Sequence, residues 1–445
     1  MSIGERRASA TLAAVLRRWL DAVAARGWAI PALVLAAAVV AAGVLAAVCT
    51  MWPVDLEIYR YGAQALAHGD DVYGTLPPTR TGLVLPFIYP PFAAVVFLVL
   101  AAPPTPVAAV LLLGVSLAAL GITIYVLVRP HARRRTALLA TVLAGAAALA
   151  FEPIRETLWF GQVNLVLMAL VVFDCLGPKT RLPRGVLIGL AAAVKITPAG
   201  FLLFFLLRRD FRAVVTTVVT FLTAGLLGFA IAPAASVSYW FGGGLTGASG
   251  MSGSTFATNQ AIQGAINRLG LGHPVAPALI ATGTIAALLL GIGAMRRAAA
   301  PLALLLNATV VLVCSPISWS HHWVWIVPAT VLFAARATSG RGAAGLAAVA
   351  GVFILAPHSL LPQRNDHELT WGPQEHLIGD SYLLLGLGFL CWQFVARRRA
   401  PDPDGGAVTG QAGTSASTRS ASRGASTGAT VTQSSPPAPG CCAAE

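Results

Sequence analysis

Charge is scarce in this chain: Asp, Glu, Lys and Arg make up 11% of its 445 residues, against 56% hydrophobic. A soluble domain carries about 25% charged residues, so a single aqueous core is excluded and lipid is the solvent implied. Lysine is scarcer still, present only as Lys179 and Lys195. Nucleotide signatures are missing too. Without a Walker loop, or a Gly-x-Gly-x-x-Gly opening a helix after a strand, a nucleotide-driven pump and a nucleotide-sugar enzyme both lose support. No two cysteines are spaced as Cys-x-x-Cys, and "HELTW" (367–371) lacks the second histidine of His-Glu-x-x-His. Neither a disulfide framework nor a zinc site is expected.

What the chain does have is apolar runs, at 29–50, 88–102, 105–128, 136–151, 162–177, 185–207, 211–232, 275–295, 299–315, 323–336, 343–361 and 379–396. Several lie near the ~17-residue lower limit for a span. The formal charge of +13 sits in arginine clusters between them (Arg129 and Arg133–Arg135, Arg296 and Arg297, Arg397–Arg399), so it reports topology and not a nucleic-acid partner. The pattern predicts an all-α polytopic membrane protein of about twelve segments. Residues 1–27 form a basic cytoplasmic N-terminus and 28–400 the membrane domain, with 52–87 as its first outer loop. The Gly-, Ser-, Thr-, Ala- and Pro-rich tail 401–445 cannot bury a core and is expected to be disordered in the cytoplasm. The loops 233–274, 315–322 and 362–378 then face outward. Simple alternation places Arg129–Arg135 and "PKTRLPR" (178–184) outside, against the charge rule, whereas re-entrant hairpins at 88–102 and 185–207 restore it. The sequence leaves both arrangements open.

Ionisable groups at membrane depth are costly and therefore functional candidates. Asp55 begins an amphipathic segment with Tyr59 four residues on; it reads either as a general base or as an N-cap. In "FEPIRETLWFGQVN" (151–164), Arg155 is suited to an anion, or Glu152 and Arg155 neutralise one another; Gln162 and Asn164 follow. Lys195 stands alone in "AAAVKITPAGF" (191–201), where it calls for a lipid phosphate or an acidic partner on another helix. In "SPISWSHHWVWIVP" (315–328), His321 and His322 point about 100° apart on a helix, which argues against shared metal chelation. Trp319, Trp323 and Trp325 fit an interfacial aromatic belt. A membrane transporter or lipid flippase is the rival class, but the candidates cluster toward outer loops and no internal repeat is visible.

Six stretches in order, "DLEIYRYGAQALAHGDDVYG", "LPFIYPPFAAVVF", "WFGQVNLVLMALVVFD", "GLAAAVKITPAGFLLFFLLRRDFRA", "TNQAIQGAINR" and "SPISWSHHWVWIVP", resemble the actinobacterial polyprenol-phosphate-mannose-dependent α-1,2-mannosyltransferases, glycosyltransferase family 87 of the GT-C superfamily. The resemblance covers about residues 28–396. It implies a GT-C fold in the plasma membrane with an extracytoplasmic active site and both termini cytoplasmic. The implied donor is polyprenyl-phosphate mannose, and the acceptor is a mannosylated glycolipid, a phosphatidylinositol mannoside or lipomannan. Another lipid-linked sugar, such as arabinofuranose, fits the same fold. Asp55 becomes the implied general base, with Glu57 in reserve. His321, His322, Lys195 and Arg155 become donor or phosphate contacts. Tyr59, Gln162, Asn164, Asn259, Gln260 and Trp319 become acceptor or pocket residues. Asn259-Gln260-Ala261 departs from the family's Asn-Gln-Ser by one hydroxyl. Because the leaving group is a monophosphate, no metal or other cofactor is required by the resemblance.

Overall fold

The computed structural model describes residues 53–398 apart from 246–252, 336, 338 and 364–365, together with Leu35 and Gly43. The basic N-terminus, the rest of the apolar segment 29–50 and the tail 401–445 lie outside the described residues. Among the described residues all regular elements are helical. The first six are α1 (Val54–His68), α2 (Pro91–Ala101), α3 (Thr105–Val128), α4 (Arg134–Ala148), α5 (Glu152–Phe160) and α6 (Asn164–Leu176). Then come α7 (Val186–Val194), α8 (Leu202–Leu207), α9 (Phe211–Ile231), α10 (Pro233–Phe241), α11 (Ile262–Arg268) and α12 (Val275–Met295). The last five are α13 (Ala300–Cys314), α14 (Ile326–Ala334), α15 (Gly340–Leu355), α16 (Pro373–Gly379) and α17 (Ser381–Arg398). Three 3₁₀ turns matter below: Thr197–Phe201, Ser320–Trp325 and Pro357–Leu360.

The helices do not confirm the expected count of about twelve segments. Among the described residues three stretches, Thr105–His131, Phe211–Ile231 and Val275–Met295, are long and apolar enough to cross a membrane, or five if each of two sharply bent helix pairs is one span. The bends are 81° between α4 and α5 and 76° between α16 and α17. Other apolar helices among the described residues, such as α2, α6, α13 and α15, are only 10–17 residues long. The eleven-residue α2 rises only about 16 Å, half the ~30 Å hydrocarbon core. The run 185–207 breaks at Lys195, whose backbone is extended (φ −145°, ψ 126°), because Pro198 has no N–H to return to the carbonyl of Val194.

Membrane character is written on the outer faces. Along α9, Val215, Val219, Leu222 and Leu226 follow one helical stripe and are each more than half exposed, a continuous apolar surface that water does not tolerate. The protein is a helical membrane protein.

Two apolar cores hold the helices. One packs α1 against α2 through Tyr59 stacked on Phe97 at 4.3 Å, with Tyr89 edge-on to Tyr59 at 5.1 Å; each such aromatic pair adds about 0.5–1.5 kcal/mol beyond its burial. The other runs through α5, α6, α12, α13 and α17. The cores are pinned together at Gly161, which ends α5 with φ +67°. A Cβ there would stand 2.8 Å from Pro53 Cβ and 2.9 Å from Leu56 Cβ, so only glycine lets the α5–α6 corner press against the start of α1. That contact delivers Gln162 to Asp55.

Candidate active site

A cavity of about 1120 Å³ opens between the two cores, lined by Asp55, Gln162, Lys195, His321 and His322 among others. That is just above the ~300–1,000 Å³ usual for small-ligand pockets, enough for more than one substrate group. Each side chain reaches it for a local reason. Asp55 is the second residue of α1, directly after extended Pro53, so it sits on the first turn facing the α5–α6 corner. Its neighbour Glu57 lies two residues on, about 200° around the helix. Glu57 is buried on the other side, where its carboxylate accepts from the Arg80 backbone N–H at 3.0 Å. The reserve role of base for Glu57 is therefore excluded by helix geometry, and it anchors the loop before α2.

Gln162 joins the two cores chemically. Its Oε1 accepts from the Tyr59 hydroxyl at 2.7 Å, and it hydrogen-bonds Asp55. With Oε1 committed to Tyr59, the amide nitrogen is the end that donates to the carboxylate. Tyr59 is fully buried and also meets the Tyr89 hydroxyl at 3.2 Å. It therefore supports the site from behind and does not line the cavity. Burial pushes the Asp55 carboxyl up to about 6, against the opposing pull of the Gln162 hydrogen bond and the Lys195 charge. A carboxylate with that affinity is still ionised at neutral pH and is a stronger base than an ordinary aspartate.

Lys195 projects from the break after α7. Its Nζ donates to Asn164 Oδ1 and to His322 Nε2, both at 3.1 Å, and lies 5.8 Å from the centre of the Tyr89 ring. An ammonium only donates, so His322 receives at Nε2 and carries its own proton on Nδ1. Two of the three Lys195 N–H bonds are thereby used, and one remains for the cavity. Among the described residues no carboxylate forms an ion pair with Lys195.

The double histidine does not continue a regular α-helix; it lies in the 3₁₀ turn Ser320–Trp325. The two rings stand nearly perpendicular, 4.8 Å apart. Thr157 Oγ1 and Asn164 Nδ2 both donate to the His321 carbonyl at 3.0 Å, Ser320 Oγ donates to Glu152 Oε1 at 2.6 Å, and Asn259 bridges to Trp319. The turn is thus fixed from several sides while His321 Nε2 stays unpartnered. Burial and the nearby Lys195 charge lower both histidines, which keeps the imidazoles neutral. Among the described residues no three His, Cys, Asp or Glu side chains are grouped to hold a metal ion.

Other expectations fall differently. Asn164 serves as the connector between Lys195 and the His321 carbonyl and borders a small adjoining pocket. Arg155 is exposed and lines the cavity, donating to the carbonyls of Ala150 and Ile354; it has no hydrogen bond to Lys195, His321 or His322. Glu152 binds Ser320 and the Tyr382 hydroxyl in place of pairing with Arg155. Asn259 and Gln260 are fully buried and do not line the cavity. Asn259 Oδ1 accepts from the Ser318 N–H at 2.9 Å, and Gln260 spans the Gly379 carbonyl and the Tyr382 N–H. The acceptor contact expected at that pair is corrected to backbone satisfaction where loops close. Trp319 does line the cavity, but Trp323 is buried against Phe353 and Tyr382 and is a core residue, not part of an interfacial belt. Tyr89 and His358 also line the cavity and were not singled out from sequence; an isolated histidine between apolar runs, as in "LAPHSLLP", was the available signal for the second.

Residues 87–316 match the model of glycosyltransferase family 87. A polyprenol-phosphate-mannose-dependent alpha-(1-2)-phosphatidylinositol mannoside mannosyltransferase of Mycolicibacterium smegmatis is 40% identical over 74% of this chain and 81% of its own. Its namesake from Mycobacterium tuberculosis is 38% identical over 77% and 84%. A phosphatidylinositol pentamannoside mannosyltransferase of M. tuberculosis is 36% identical over 62% and 64%. No solved structure matches the chain. With the family model covering half the chain and relatives of this identity spanning most of it, the protein belongs to glycosyltransferase family 87.

Proposed function

We propose that this protein transfers mannose from polyprenyl-phosphate mannose to a mannose 2-hydroxyl of a phosphatidylinositol mannoside, with inversion, at the extracytoplasmic face of the plasma membrane. The observation that carries the reading is the meeting of Asp55, Lys195 and His322 in one cavity, from three distant parts of the chain. The relatives' names supply the substrates, and the positive-inside pattern supplies the side of the membrane.

The chemistry follows from the partners. The acceptor hydroxyl oxygen forms its bond to the anomeric carbon as the bond from that carbon to the phosphate oxygen breaks, turning a β-linked phosphate into an α-linked mannoside. Asp55 takes the hydroxyl proton, with Gln162 holding the carboxylate in place. The free N–H of Lys195 meets the departing polyprenyl phosphate, aided by the neutral imidazoles of the double-histidine turn. Preorganised charge of this kind is usually the largest single catalytic contribution. Lys195 supplies the positive charge, so the reaction as proposed needs no bound metal. The fold is proposed to be of the GT-C type. The test is a transfer assay with purified protein in detergent, labelled polyprenyl-phosphate mannose and a phosphatidylinositol mannoside. An α-1,2-mannosidase-sensitive product that vanishes in Asp55→Asn is expected; normal transfer by Asp55→Asn would overturn the assignment of the base.

A further inference from the structure

The catalytic cluster occupies one end of α5, beside Gln162. The other end of the same helix carries a second polar group on the same cavity. Glu152, its first residue, lines the cavity and is almost fully buried. It accepts from Ser320 Oγ at 2.6 Å on one oxygen and from the Tyr382 hydroxyl at 3.0 Å on the other. A carboxylate offers about four lone-pair positions, so each oxygen keeps room for another donor. His358, from the 3₁₀ turn Pro357–Leu360, lines the cavity as well and is 1% exposed. Its Nδ1 has no hydrogen-bond partner among the described residues, and its Nε2 stands 3.8 Å from Glu152 Oε1, beyond hydrogen-bond range. Ser359 follows it on the same wall.

A buried imidazole nitrogen without a partner costs about 1–3 kcal/mol, and such groups in a native structure call for an explanation. A purely structural role accounts for Glu152, which has two good donors. It leaves His358 unexplained, because among the described residues no hydrogen bond reaches its Nδ1. The needed partner is a group that both donates and accepts and that enters from the cavity. A sugar hydroxyl is that group, and two neighbouring hydroxyls of one pyranose would reach a carboxylate and an imidazole set side by side. From Glu152 to Phe160 the helix rises about 12 Å, a span on the scale of a short saccharide ending near Asp55.

We propose that Glu152 and His358 form a hydroxyl-binding subsite that holds the acceptor saccharide across the cavity from Asp55. The assignment rests on the mannosyl-transfer reading, with the donor phosphate at the opposite end on Lys195. A site built to hydrogen-bond a hydroxyl discriminates strongly against a ligand that lacks it, so the subsite sets which acceptor is used and has no part in breaking the donor bond.

The test measures transfer from polyprenyl-phosphate mannose to a methyl α-dimannoside and to its set of monodeoxy analogues, in wild type, Glu152→Gln and His358→Phe. Wild type is expected to lose at least tenfold in kcat/KM on at least one analogue deoxygenated away from the reacting hydroxyl. The variants should show a KM for the dimannoside raised at least tenfold, an unchanged KM for the donor, and no further loss on that same analogue. Such non-additivity marks a direct contact, which a folding defect would not produce. His358→Asn, which restores a polar group, should recover part of the affinity. Equal sensitivity of variants and wild type to every deoxygenation would overturn the subsite while leaving the transferase reading intact. Failure of wild type to transfer mannose at all would instead sink the reading on which it rests.

Discussion

Replacing Lys195 by methionine separates two jobs that one ammonium performs. The substitution keeps an unbranched side chain, one atom shorter, but removes three donors and a charge. Two of those donors serve Asn164 and His322 within the protein, and the third faces the cavity. A hydrogen bond to a charged group contributes about 1.5–3 kcal/mol, and loss of one preorganised donor at a developing anion costs about 2.7–4 kcal/mol. At about 1.36 kcal/mol per tenfold, kcat is expected to fall roughly 10²–10³-fold at every pH. The second effect has its own signature. The Lys195 charge holds the Asp55 carboxyl down, and Asp55 in wild type sits at about 6. Without the cation its affinity for a proton rises, so the base stays protonated to higher pH and the acidic limb of the rate profile moves upward. The assay is transfer of labelled mannose in detergent over pH 5 to 9, with melting temperature as a control. A folded Lys195→Met protein within threefold of wild type, with its acidic limb unmoved, would refute both the phosphate role and the proximity to Asp55.

Four further outcomes follow from the same geometry. In wild type, kcat/KM should fall tenfold per pH unit below about 6 as Asp55 takes up a proton, and fall again above about 8, where burial makes Lys195 give up its proton and its charge; a flat profile down to pH 5 would count against Asp55 as base. His322→Ala, which removes the acceptor of a Lys195 N–H, should lower kcat by roughly 10² while the protein elutes as wild type from size exclusion. Wild-type activity would return the double histidine to an anchoring role. Transfer should persist in EDTA within twofold of the untreated rate, whereas loss that Mg²⁺ restores would show a metal requirement. Arg268 is fully buried in an ion pair with Asp380 and also donates to the Phe256 and Asn259 carbonyls. Arg268→Met should destabilise the protein by about 3–5 kcal/mol, read as a lower melting temperature; an unchanged melting temperature would show the pair to be dispensable.

The parts of the site legible in the sequence are those where a polar residue interrupts an apolar run. Asp55, Lys195, His321 and His322 all violate the local composition, and all reach the cavity. What composition cannot show is which way a polar residue points after folding. Asn259 and Gln260 look like ligand contacts in "TNQAIQGAINR", yet they are turned inward because loop backbone groups there have no helix or sheet to satisfy them. Asp55 and Glu57 differ by two positions and end on opposite sides of one helix, a distinction that needs the helix register. His358 is hard to single out in sequence because it stands in a short turn, "APHSL", and the groups nearest its ring, Glu152 and Tyr382, come from other elements of the fold. Apolar length alone does not foresee breaks such as the one at Lys195, and that break turns the lysine side chain toward the cavity.

The pinch at Gly161 has a bearing on how the protein is made. Asp55 belongs to the first described helix, but the corner that closes over it arrives only with Gly161 and Gln162, and the double-histidine turn emerges later still. A growing chain therefore carries its base long before it carries the groups that orient that base and receive a phosphate. A chain cut short before the turn at 320–325, or before His358 and Ser359 farther on, lacks walls of the cavity and is expected to be inert in transfer.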